Sequence, residues 1–102
     1  MKTLETIKKE YDNLIKQKKE SIKFGGLLDC QIRAYDTQIR ALSFCIKNYD
    51  ENKIKDWIKQ SENTLRKIFA TIIRCNGNST LNQYYKETEI RERVSILNWV
   101  LS

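Results

Sequence analysis

The chain has no proline, and its three glycines fall at two places, Gly25-Gly26 and Gly77, in a length of 102 residues. These two residue types are the ones that most often interrupt helices and nucleate turns. The stretches between them are therefore long, and apolar spacing decides what they become. Leu28, Ile32, Tyr35, Ile39, Leu42, Ile46 and Tyr49 recur at intervals of four and three. That is one face of a helix, whereas a strand would alternate every second residue.

Boundary signals divide the rest. Thr3 is placed to cap a first helix that runs to about Phe24, with Gly25 supplying the left-handed residue that ends it. The second helix is the seam above. Asp50 is the expected cap of a third, in which Ile54, Ile58, Leu65, Ile68, Ile72 and Cys75 repeat the spacing, Ser61 interrupts it, and Trp57, Phe69 and Ile73 widen it. Asn76-Gly77-Asn78 closes that helix, and Thr80 with Gln83 forms a capping box for a fourth. In this last segment Leu81, Tyr84 and Tyr85 define one face but Ile90, Val94, Leu97 and Leu101 another. A bend or a change of packing partner is expected between Lys86 and Glu89.

Short connections force consecutive helices to run antiparallel. The expected fold is all-α: an antiparallel up-and-down helical bundle of three long helices plus a C-terminal fourth helix, bent or changing its packing partner partway, in a single domain spanning 1–102. The seam from Leu28 to Tyr49 is expected to face helices one and three within the same chain. A length of 102 residues leaves no room for a second core.

The net charge of +6 raises the question of a phosphate-bearing partner. Much of the charge, however, is spaced for helix-internal pairs: Glu5-Lys9, Asp12-Lys16, Asp29-Arg33, Asp36-Arg40, Glu51-Lys55, Glu62-Arg66, Glu87-Arg91 and Glu89-Arg93 all place a base four residues after an acid. That is the favourable orientation for such pairs. The unpaired remainder is concentrated on helix one, at Lys2, Lys8, Lys18, Lys19 and Lys23, and Lys2, Lys9, Lys16 and Lys23 repeat every seven residues. Lys2, Lys9, Lys16, Lys19 and Lys23 are thus the candidate contacts to an anion or a nucleic-acid backbone. No helix-turn-helix pair or glycine-rich phosphate loop fits the pattern, so base reading is not expected.

Catalysis has little support. Histidine is absent, and no paired carboxylates occupy the seams. Arg33, Arg40 and Lys47 line up seven apart on helix two, beside the seam, with Asp29 and Asp36 spaced to neutralise the arginines. The cysteines Cys30, Cys45 and Cys75 form no CxxC pair, which argues against a zinc site or a disulfide framework. Cys30 falls on an outward face and the other two on or beside apolar ones, so free thiols are expected. No cofactor or metal is implied. No apolar run approaches the ~20 residues of a membrane span, and no signal peptide is evident, which points to the cytoplasm.

The C-terminal segment Val94 to Leu101 is apolar on nearly every side. A surface helix needs one such face, so Ile96, Trp99 and Val100 are candidates for a protein interface with Trp99 as its anchor. Abundant lysine, isoleucine and asparagine suit an AT-rich genome. Together these readings suggest a non-enzymatic helical module that binds a protein stoichiometrically, such as a phage or mobile-element accessory or inhibitor of a host complex. The alternatives are a basic accessory protein on nucleic-acid backbone and an immunity-type bundle guarding a membrane-associated target. A homodimer is a further partner state compatible with the pattern.

Overall fold

The computed structural model describes residues 1–25, 29–74 and 81–102, with side chains not described at Asp29, Cys30, Ile72, Ile73, Arg74, Leu81 and Asn82. Four helices account for nearly all of it: α1 (Leu4–Lys23), α2 (Asp29–Lys47), α3 (Glu51–Arg74) and α4 (Leu81–Leu101). Strands are absent among the described residues. The fold is an all-α helical bundle, as the spacing predicts.

Local chemistry sets the ends. Thr3 Oγ1 accepts the Thr6 amide at 3.2 Å. At the other end of α1, the Phe24 amide reaches Glu20 O at 3.1 Å. Gly25 then turns the chain with a φ of 144°, where a side chain would be strained even though the space around it is open. Asp50 caps α3 by accepting the Asn52 amide at 2.9 Å. The Thr80 cap, the Asn76-Gly77-Asn78 turn, Cys75, Gly26 and Leu28 lie outside the described residues, as does the side chain of Cys30.

The helices do not stack in the expected order. α2 packs on α1 and α4, and α3 packs on α4, so the spatial order is α1, α2, α4, α3. The seam of α2 therefore faces helices one and four, a correction to the expectation of one and three. Near their turn, α2 and α3 still meet through Phe44 and Trp57, whose rings lie 4.5 Å apart and tilted by 56°. α4 is a single unbroken helix, so no bend is needed between Lys86 and Glu89. Its shifting stripe reflects two neighbours. Tyr85, Glu89 and Glu92 reach Arg33 and Gln38 of α2, whereas Arg91 and Arg93 reach Phe69, Trp57 and Ser61 of α3.

Ile7, Leu14, Ala41, Leu42, Cys45, Ile54, Ile58, Leu97 and Val100 form one buried cluster. These come from the start and middle of α1, the second half of α2, the first half of α3 and the end of α4. Ile22 and Phe24, at the far end of α1, and Tyr84, near the start of α4, are exposed. Principal extents of 45 × 40 × 18 Å make the molecule a slab, and its radius of gyration of 15.1 Å exceeds the ~13 Å of a compact chain this long.

Candidate functional site

The C-terminal candidates divide. Val100 is fully enclosed and belongs to the core, so it presents no surface to a partner. This corrects its assignment to an interface: α4 is the central helix, and its apolar girdle is what two flanking helices require. Ile96 and Trp99 are half-buried at the core's rim. Trp99 lies under the Lys2 ammonium, 5.3 Å from its ring centre.

Lys2 belongs to a clasp, not to the lysine stripe. Its amide donates to Val100 O at 2.7 Å, its carbonyl accepts from Tyr49 Oη at 2.6 Å, and its Nζ donates to Ser102 Oγ at 3.0 Å. Lys18 is also engaged, by Asp36 on α2. Lys9, Lys16, Lys19 and Lys23 are exposed and make no hydrogen bond or ion pair among the described residues. Within α1, six lysines stand against four acids, and within α3 six bases stand against three acids. The outer helices thus carry the excess charge of the slab.

Two grooves cross the molecule. One runs between α1 and α4 with α2 as its floor, and Gln38 divides it by donating to Glu92 at 2.7 Å. Glu10, Gln17, Tyr35 and Trp99 line it. It is a polar, weakly acidic channel. The other groove lies between α2 and α3, against α4, and Trp57 is common to its two compartments. Phe44, Lys53, Asp56 and Gln60 line the wider compartment, Thr37, Arg40, Glu89 and Arg93 the narrower.

The narrow compartment is built by packing. Ser61 is 1% exposed, donates to Trp57 O at 2.7 Å and accepts Arg93 Nε at 3.0 Å. The Arg93 guanidinium also lies 5.0 Å from the centre of the Trp57 ring. Burial lowers its pKa, partly offset by the nearby Glu89 carboxylate. A lowered guanidinium is still charged at neutral pH. Arg40 is exposed, and Lys18 has taken the Asp36 carboxylate that the sequence spacing assigns to it. Arg33 rests on Tyr85 at 4.3 Å and reaches Glu89 at 4.0 Å. Of the eight spaced pairs, Glu51–Lys55 and Glu87–Arg91 close within α3 and α4, at 3.3 and 3.0 Å.

Sequence reading placed Arg33 and Arg40 on one line but missed Arg93, Ser61 and Trp57 as their companions. The polar break at Ser61 in an otherwise apolar seam was the available signal. No helix among the described residues is long and apolar enough to cross a membrane. Comparison with protein-family models, curated proteins and solved structures finds no match.

Proposed function

We propose that the chain is a non-enzymatic helical module that binds a protein partner stoichiometrically and acts by occluding that partner's surface, as a phage or mobile-element accessory or inhibitor of a host complex would. The observation that supports this is the surface left open. The chain exposes 7052 Å², whereas a compact monomer of 12.2 kDa exposes about 6,100 Å². The excess of roughly 1,000 Å² is on the order of what one side of a stable protein interface buries. It is distributed over a flat body with two grooves, a shape suited to lying against another macromolecule.

Nucleic-acid backbone binding through α1 is the second reading. It is favoured by Lys9, Lys16 and Lys23, exposed on one line with no ion pair among the described residues. Pull-down from a bacterial lysate with and without nuclease separates the two, followed by sedimentation of the purified complex. Capture that survives nuclease and sediments at 1:1 supports the protein-binding reading. Capture that nuclease abolishes rejects it in favour of nucleic acid. In that case Lys9, Lys16 and Lys23 changed together to Glu should remove DNA binding at ~50 mM salt, where counterion release makes it strongest.

A further inference from the structure

Arg40 and Arg93 approach one compartment from different helices, and the Glu89 carboxylate lies near Arg93 without an ion pair to it among the described residues. Helical spacing assigns Asp36 to Arg40, but the cross-helix ion pair with Lys18 removes that acid, and Arg40 is left with no hydrogen bond or ion pair among the described residues. Arg93 is held by the opposite logic. Its Nε is fixed by buried Ser61 and its Cζ lies 5.0 Å from the Trp57 ring centre, and no hydrogen bond engages its two terminal nitrogens among the described residues. Thr37 and Trp57 complete the walls, and Glu89 is the one acid in them. Within the pocket two guanidiniums stand against that single carboxylate, which Arg33 also reaches from outside the pocket, at 4.0 Å.

We propose that this pocket of Arg40, Arg93, Thr37 and Trp57 receives a carboxylate side chain from an acidic segment of the protein partner. The inference rests on the protein-binding reading above and names the chemistry of the partner. An arginine fork matches the two oxygens of a carboxylate, and a guanidinium already fixed by Ser61 and Trp57 loses little freedom on binding one. The cavity is about 90 Å³, room for a few waters or one small charged group. Beyond Trp57 the same groove widens to about 420 Å³, where Phe44 offers an apolar contact beside Lys53, Asp56 and Gln60. A phosphodiester backbone would ask for cations spread along a line, as α1 offers. Cations converging on one point beside an aromatic wall suit an acidic peptide better.

The test follows the Trp57 indole by NMR, assigned with Trp57→Phe, at ~50 mM salt. The probes are a ten-residue peptide alternating glutamate with leucine and an oligothymidylate of equal charge. The peptide should move the Trp57 resonance and leave Trp99 in place. Arg40→Gln, on an exposed helix face, should keep the helical spectrum and weaken the peptide by about tenfold or more, the usual effect of losing a charge-assisted hydrogen bond. Lys9, Lys16 and Lys23 changed to Gln should leave the Trp57 shift in place. An unmoved Trp57, or peptide affinity unchanged in Arg40→Gln, overturns the proposal. So does a Trp57 shift that oligothymidylate alone produces. A lysate complex that forms equally well with Arg40→Gln would keep the protein-binding reading and reject this pocket as its contact.

Discussion

Ser61 interrupts an apolar seam without weakening it, because both of its hydrogen-bonding directions are used. It donates to Trp57 O within α3 and accepts from Arg93 across to α4. A buried hydroxyl without partners would cost free energy, whereas a satisfied one fixes register between two helices. Cys45 has the opposite character. It is fully buried on α2, and burial pushes its thiol from 9.0 to about 11. The folded state therefore holds the proton over a range in which the unfolded state releases it. Its stabilising effect is complete below about pH 9 and is lost as pH rises toward 11, by about 2–3 kcal/mol in all. Urea unfolding at pH 8 and pH 10.5 should show a steeper alkaline loss for the native chain than for Cys45→Ala. Native Cys45 should also resist alkylation at pH 8 until urea unfolds the chain. Equal slopes in the two proteins would mean that the thiol is solvated in the folded state.

At the scale of elements, α2 and α4 form the middle of the slab, and the consequences of truncating them differ from what their sequences imply. Leu42 is fully buried where α2 meets its neighbours, so Leu42→Ala should cost about 2–5 kcal/mol. Trp99 was legible as an anchor for a partner, yet it packs on the core and lies beneath Lys2. Trp99→Ala should then destabilise the isolated chain by roughly half of the ~3–5 kcal/mol typical of a buried aromatic. Thermal melting of both variants checks this; an unchanged midpoint for Trp99→Ala would return that residue to the exposed surface. Element identity was legible because capping and periodicity are local: Thr3, Asp50, Gly25 and the α2 spacing each act within a turn or two. Neighbour order was not. The all-round apolarity of Val94 to Leu101 is equally compatible with a central helix and with an exposed interface, and only the packing of α2 and α3 on α4 decides between them. For the same reason Asp36 pairs with Lys18 instead of Arg40. A cross-helix partner brought close by packing outcompetes the one four residues away, and the arginine pocket exists because of that exchange.

Among the described residues, the core sits toward one end of the bundle. The buried cluster draws on the start and middle of α1, the first half of α3 and the later parts of α2 and α4, which antiparallel packing brings to the same side. The clasp of Lys2, Tyr49, Val100 and Ser102 closes that side by tying the start of α1 to the α2–α3 turn and the end of α4. Away from it, Ile22, Phe24 and Tyr84 stay in solvent. Backbone opening there needs little apolar exposure, whereas opening around Leu42, Ile54 and Leu97 requires the cluster to come apart. Native-state hydrogen exchange should therefore show a gradient along every helix. Amides near Leu42, Ile54 and Leu97 should exchange only through near-global unfolding, and those near Ile22, Ile32 and Tyr84 through local opening at lower cost. Uniform protection along α1 and α4 would contradict a slab anchored at one end. Binding of a partner in the groove between α2 and α3 should raise protection first at residues around Arg40 and Trp57. Partner contact through the α1 lysines would instead slow exchange along the exposed face from Lys9 to Lys23, so the same measurement that tests the anchoring also reports which surface the partner covers.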